Sequence, residues 1–209
     1  MNKAILAKKV GMTQVFNEDG QAIPVTVLEA GPCAVIFKRT AERDGYEALQ
    51  VGFQPKKEKR ANKPEKGHLA RTGAGPFKYV KEFRVANIDD YDEGQEIRAD
   101  IFKEGDRVDI RGISKGKGFS GGVKRHGFGT GPKTHGSRFH RKPGTLGGMD
   151  PGHVFKGRLL PGRMGGNKVM VQNLEIIKVD PDKNLLLVKG SVPGNRGSVL
   201  MIKNSVKAG

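Results

Sequence analysis

The chain has 209 residues, with 38 Lys and Arg against 22 Asp and Glu, a formal net charge of +16, only 35% hydrophobic residues and one cysteine, Cys33. That length excludes a disulfide-stapled mini-protein, the lone cysteine excludes a disulfide framework, and a reducing cytosol suits it best. No apolar run approaches the ~18–20 residues of a membrane span, and Ala4-Ile5-Leu6-Ala7, followed at once by Lys8 and Lys9, is too short for the core of a signal peptide; the partner expected for this charge is a polyanion, not a membrane.

Taken in chain order, the elements read as short strands. Ile23 to Leu28 is a β-branched run entered through Asn17-Glu18-Asp19-Gly20. Cys33 to Phe37 follows Gly31-Pro32, and Tyr46 to Phe53 follows the turn at Arg43-Asp44-Gly45. Residues 54–71 carry seven basic residues, two acids and two prolines, and read as a surface loop. Residues 87–106 carry eight acids against Arg98 and Lys103, the pattern of a solvated or protein-facing surface. No long amphipathic helix is expected, only short ones around 61–71 or 98–103. Arg107 to Ile113 reads as a strand after Glu104-Gly105-Asp106. Val169 to Val179, Leu185 to Val188 and Val199 to Ile202 follow near the C-terminus, separated by Asp180-Pro181-Asp182-Lys183-Asn184 and Pro193-Gly194-Asn195. Short strands with turn chemistry between them predict a mainly β fold, a small antiparallel barrel or sandwich.

The charge is concentrated in one stretch. Residues 111–168 hold 13 of the basic residues and a single acid, Asp150, together with 17 of the 31 glycines and four of the five histidines. Only 12 of these 58 residues are hydrophobic, so the segment cannot offset its ordering entropy by burying apolar surface. Predicted strands lie on both sides. The division expected is therefore a β domain from 1–113 and 169–209, with 114–168 as an insertion. Glycine lets one backbone approach another closely, Lys and Arg neutralise phosphates, and the interleaved Phe119, Phe128, Phe139 and Phe155 suit stacking on bases. The composition fits threading between folded RNA helices. A disordered basic linker is the alternative, but a structureless insertion of this length inside a barrel is uncommon.

Sharper motifs fail on context. Gly116-Lys117-Gly118-Phe119-Ser120-Gly121-Gly122-Val123 matches a kinase nucleotide loop, and its first six residues match the dinucleotide fingerprint. Gly and Pro follow where a helix is wanted, Asp150 is the only acid, and no companion kinase motif occurs. His126, His135, His140 and His153 match no zinc spacing. Cys33 lies in an apolar run and reads as core. No catalytic residue, metal or cofactor is assigned, and no small-molecule substrate is expected. An enzyme acting on nucleic acid would need clustered acids in the basic region. A free RNA-binding module remains the other alternative.

Five strings are specific. Lys8 to Phe16 (KKVGMTQVF), Ser114 to Phe128 (SKGKGFSGGVKRHGF), Thr134 to Gly144 (THGSRFHRKPG), Val154 to Gly166 (VFKGRLLPGRMGG) and Asn184 to Gly194 (NLLLVKGSVPG) resemble, in this order, the signatures of the bacterial form of the universal large-subunit ribosomal protein number three family. The resemblance spans nearly the whole chain. It implies a translation-factor-type β-barrel interrupted by a long Gly-rich basic loop that reaches through 23S ribosomal RNA toward the peptidyl transferase centre. It also implies a structural role in early subunit assembly in the cytoplasmic ribosome, with large-subunit proteins fourteen and nineteen as neighbours. An excursion over 125–165 reaches at most ~60–70 Å. The phosphate contacts expected are Lys115, Lys117, Lys124, Arg125, Lys133, Arg138, Arg141, Lys142, Lys156, Arg158, Arg163 and Lys168, with His126, His135 and His140 supplying hydrogen bonds or stacking. The tip nearest the catalytic RNA is Gly144, Thr145, Leu146, Gly147, Gly148, Met149 and Asp150. Some relatives carry an N-methylated Gln at that tip; none stands here.

Overall fold

A computed structural model of the protein describes residues 3–69, 75–85 and 87–207. In chain order the strands are β1 (Ala4–Phe16), β2 (Ala22–Ala30), β3 (Cys33–Arg39), β4 (Ala48–Pro55), β5 (Phe77–Phe83), β6 (Glu96–Ile97), β7 (Arg107–Ile113), β8 (Phe119–Ser120), β9 (Gly162–Arg163), β10 (Lys168–Asp180), β11 (Leu185–Lys189) and β12 (Val199–Asn204). The helices are short: α1 (Ala41–Asp44), α2 (Lys63–Leu69) and α3 (Gly122–His126), with 3₁₀ turns at Glu58–Arg60 and Ala99–Ile101. Backbone clustering separates two units, Met1–Ile113 with Lys168–Gly209, and Ser114–Asn167.

The first unit is built on a closed antiparallel barrel in the order β1-β12-β7-β10-β11-β2. Alternation along each strand makes it. Val108 and Ile110 of β7, Leu200 and Ile202 of β12, and Leu186 and Val188 of β11 all point inward and are fully buried. Burying such a side chain is worth about 1.5–3 kcal/mol, and the aliphatic interior is what closes the sheet. Gly112 keeps that interior open for its neighbour, since a Cβ there would press on the Leu200 side chain. The barrel strands bend at register shifts, one between Lys9 and Gly11 in β1 and another between Val171 and Leu174 in β10. The β10 shift is held by the buried Asp109 carboxylate, which accepts the Asn173 amide at 3.0 Å.

The sequence reading of a small antiparallel β-barrel is borne out, and five of the seven anticipated strands lie in it. The other two, β3 and β4, form a second sheet in the order β5-β4-β3-β6. Period-2 patterning says which face of a strand is buried but not which sheet it joins. This sheet shares one core with the barrel: Val35, Val51 and Phe53 pack in the same cluster as Ile5, Leu28 and Ile202. That shared core explains why β1 was not anticipated. Ala4, Ile5, Leu6 and Ala7 are all buried, so the strand shows no alternation where it would be looked for. β5 was missed because Lys78, Lys81 and Glu82 break up its apolar residues, as suits an edge strand. The 54–71 loop holds α2, and the 3₁₀ turn at Ala99–Ile101 lies inside the stretch where a short helix was expected.

Candidate nucleic-acid interface

The second unit begins as a ribbon. Ser114 and Asn167 are joined by the Ser114 amide on the Asn167 carbonyl at 2.9 Å, and the Gly166 amide returns to the Ser114 carbonyl at 3.2 Å. The Lys117 amide reaches the Met164 carbonyl and the Met164 amide reaches the Gly118 carbonyl, both at 2.9 Å. β8 then pairs with β9 through Phe119 with Arg163 and Ser120 with Gly162. Gly165 is what lets the two limbs close: its φ is +72°, and a Cβ there would run into the Lys115 carbonyl.

Beyond the ribbon, α3 carries Lys124, Arg125 and His126 in its only turn and ends at Gly127, whose left-handed φ of 71° caps it. The Arg125 guanidinium and the His126 Nε2 both sit on one carbonyl of the returning limb, that of Leu160, at 2.7 and 3.0 Å. From 127 to 161 there is neither helix nor strand. Main-chain carbonyls tie this stretch together. The Gly131 amide bonds the His140 carbonyl at 3.0 Å, His140 Nδ1 meets the Pro132 carbonyl at 2.9 Å, and Arg158 Nη2 donates to the Thr145 carbonyl at 2.8 Å. The order of the unit therefore comes from hydrogen bonds and glycine geometry, with almost no apolar burial behind it.

The structure places the expected contacts on the surface. Lys115, Lys117, Lys124, Arg125, Lys133, Arg138, Arg141, Lys142, Lys156, Arg158, Arg163 and Lys168 are all exposed, and among the described residues none has a carboxylate within ion-pair distance. Lys168 opens β10 and pairs with Ile113, so it belongs to the first unit. Several cations of the first unit do have carboxylates: Lys3 pairs with Asp106 at 2.9 Å, Lys56 with Glu65 at 2.8 Å and Arg98 with Glu96 at 2.8 Å. The Lys56 ammonium holds the Glu65 carboxyl below the usual carboxylate range. Cations left without carboxylates repel one another and attract a polyanion.

Aromatic surface accompanies the charge. Phe119 is 81% exposed, Phe139 58% and Phe155 60%, while Phe128 is half-buried against the His126 ring, 5.7 Å between centroids. Lys142 Nζ stands 5.6 Å from the Phe139 ring centre. His135 is exposed with φ at 56°. The tip residues Gly144, Thr145, Leu146, Gly147, Gly148, Met149 and Asp150 are exposed throughout, Met149 to 97%. Nothing within the described chain crowds the tip glycines; a Cβ on Gly147 would lie 3.7 Å from the His153 carbonyl and one on Gly148 3.9 Å from Pro151 Cδ.

One sequence reading is corrected here. A helix does form here: α3 starts at Gly122, inside the Gly116–Val123 motif, and ends at Gly127 after five residues. The strand before the motif, β7, is nonetheless antiparallel to both its neighbours, and β8, antiparallel to β9, falls within the motif itself. Cys33 is fully buried, with its Sγ 3.5 Å from the Leu6 carbonyl, and burial pushes the thiol up to about 12. Among the described residues no three His, Cys, Asp or Glu side chains come together as a metal site. The stem groups Gly165, Asn167 and the Leu160 carbonyl were not anticipated. Backbone acceptors leave no mark in a sequence, and the Gly165-Gly166 pair was the one available signal.

Comparison with known proteins shows the family. The family model described as Ribosomal protein L3 matches residues 54–184. The large ribosomal subunit protein uL3 of Carboxydothermus hydrogenoformans is 60% identical over 207 residues, 99% of either chain. That of Geobacillus sp. strain WCH70 is 58% identical over all of this chain and 99% of its own, and that of Halalkalibacterium halodurans is 57% identical over the full length of both. A closed barrel interrupted by a glycine-rich cationic unit, matched end to end at this identity, belongs to the ribosomal protein L3 family.

Proposed function

We propose that the chain is a structural protein of the large ribosomal subunit that binds 23S ribosomal RNA directly through residues 114–168. In this reading it joins the subunit early in assembly and carries the 144–150 tip toward the peptidyl transferase centre. The observation that supports this most is the charge arrangement. The second unit presents its Lys and Arg exposed and without carboxylates, on a scaffold held by its own main chain. Lys and Arg at such positions contact phosphates and fix register; they carry no base specificity by themselves. The exposed Phe119, Phe139 and Phe155 supply stacking surface for unpaired bases. His126 and His140 each spend one ring nitrogen on a carbonyl of the chain, which leaves the other nitrogen and the ring face for RNA.

The tip has a different task. It bears no Lys or Arg, so it adds little attraction, and its glycines suit close packing against RNA. The large-subunit proteins numbered fourteen and nineteen are proposed as neighbours on the family resemblance alone. No catalytic, metal or cofactor role is assigned to any residue.

Fractionation of cell extract on a high-salt sucrose gradient tests the reading. The protein is expected to co-migrate with the large subunit in stoichiometric amount. Release into the top fractions at salt that leaves the subunit intact would mean a loosely held RNA-binding module instead.

A further inference from the structure

The far end of the β1–β2 ribbon has a sheet edge that nothing guards. β12 pairs with β1 only from Ala4 to Lys8. The loop before β12 carries the contact on to Val10: the Lys9 amide reaches the Ser198 carbonyl and Arg196 Nε the Val10 carbonyl, both at 3.0 Å. On the other side, β11 pairs with β2 only from Val25 to Glu29. Among the described residues, Met12 to Phe16 and Ala22 to Pro24 therefore have no strand partner but each other. The β2 edge is blocked by Pro24, which has no amide and whose carbonyl accepts the Gly190 amide at 2.8 Å. The β1 edge carries no charge and no proline, and its register shift lies before it, between Lys9 and Gly11; those are the devices that keep sheet edges from pairing. Met12 and Phe16 share one face, 53% and 63% exposed, with Gln14 between them and Pro24 and Ala22 opposite. Two strands alone are marginal in water, and a third adds the missing ladder.

Charge separates this ribbon from the rest of the chain. Val10 to Phe37 contain no Lys or Arg, in a protein that has 38. The turn of the ribbon holds Glu18 and Asp19, both exposed and with no cation in ion-pair distance among the described residues. A surface uncharged along its side and anionic at its end offers phosphate nothing, and it complements a basic polypeptide.

We propose that the Met12–Phe16 edge is a protein-docking site, where an extended basic segment of a partner protein adds as a third strand. The partner's main chain pairs with β1 and supplies affinity, and its alternate side chains supply specificity. Apolar residues of the segment lie on Met12 and Phe16, and its Lys or Arg stand beside Glu18 and Asp19. A second copy of this chain is a poorer occupant, because each copy carries +16 and repels the other. The site lies outside residues 114–168 and does not depend on what those residues bind.

The test places a photoreactive benzoyl-phenylalanine at position 14 of the full chain, expressed in bacterial cells, and sequences the cross-linked peptides by mass spectrometry. The expected product is one protein segment with apolar residues at alternate positions and Lys or Arg at one end. Cross-links to RNA, to a second copy of this chain or to nothing would overturn the proposal. A synthetic peptide of the cross-linked segment is then titrated onto the purified full chain. Phe16→Ser should weaken binding by about ten-fold or more, as truncating an anchor does. Glu18→Lys with Asp19→Asn should weaken it by about three-fold and flatten its salt dependence. Backbone N-methylation of the peptide reads the strand pairing itself: methylating one set of alternate amides should abolish binding, and methylating the other set should leave it. Equal behaviour of the two sets, or binding indifferent to Phe16→Ser, would overturn strand addition at this edge. Should Phe16→Ser not fold, the methylated peptides on the native chain decide.

Discussion

Replacing Gly165 with alanine isolates the ribbon that closes the insertion. Gly165 sits at φ +72°, and its missing Cβ is what leaves room for the Lys115 carbonyl. An alanine held there costs about 1–2 kcal/mol for the left-handed backbone alone. The overlap with Lys115 cannot be relieved by a rotamer change, because both groups are fixed close to main chain. Relief means opening the ribbon, which strains the two hydrogen bonds of the adjacent Met164, to Lys117 and Gly118. At about 0.5–1.5 kcal/mol each, losing both brings the whole to roughly 2–5 kcal/mol.

RNA binding must then supply that ordering energy. At 1.4 kcal/mol per factor of ten, affinity for a 23S transcript is expected to fall by about 30-fold or more. Gly136→Ala is the control. Gly136 has a φ of +75° but nothing within 4 Å of its Cβ position, so only the backbone penalty applies and the loss stays near ten-fold. Filter binding at fixed salt measures both, and a thermal melt reports the barrel, which should be unmoved because Gly165 belongs to the other unit. Equal losses for the two variants, or a lowered barrel melt for Gly165→Ala, would refute the argument that this glycine acts by closing the stem.

Three further outcomes are expected. With about 6–10 insertion cations on phosphate, affinity drops on the order of 10³–10⁵-fold between about 50 and 200 mM salt on the duplex-DNA scale and by less on single strands; a flat titration would mean that the insertion cations do not carry binding. Gly147→Leu or Gly148→Leu should incorporate normally, since the chain itself leaves the Cβ space open, yet slow peptide-bond formation, whereas Arg141→Ala with Lys142→Ala should impair subunit assembly; fully active, normally incorporated glycine variants would move the tip away from the catalytic RNA. The Cys33 thiol, raised to about 12 by burial, keeps its proton in the folded state while an unfolded thiol loses it above about 8.5, so stability should decline as pH rises through that window, and urea melts of Cys33→Ala should show a shallower decline.

What could be read from the sequence was whatever alternates or accumulates. β7 was anticipated to the residue because Val108 and Ile110 point inward between polar neighbours and a Glu104-Gly105-Asp106 turn precedes them. The insertion was visible because its charge and glycine content differ so sharply from the rest. β1 was hidden by the same burial that makes it central, with Ala4 to Ala7 covered on both faces. The assignment of β3 and β4 to their own sheet depends on partners far along the chain, and no period encodes a partner.

The candidate site divides along the same physical line. The exposed cations proposed as phosphate contacts are side-chain charges, and side chains are written in the sequence, so their positions could be named in advance. What positions them is mostly a backbone acceptor: the Leu160 carbonyl under Arg125 and His126, the Thr145 carbonyl under Arg158, the Lys115 carbonyl against Gly165. Every residue offers a backbone carbonyl, so nothing marks these three. The cationic outer face of the barrel is hidden for a different reason. Arg111, Lys168 and Lys203 are single charges among many in unremarkable local contexts, and only the β10-β7-β12 register brings them to neighbouring strands. A charge-density scan finds a contiguous basic insertion and passes over a basic face assembled by topology. In this β-barrel the second kind is to be expected, because β7 and its two neighbours β10 and β12 are distant in sequence and each contributes outward side chains to the shared face.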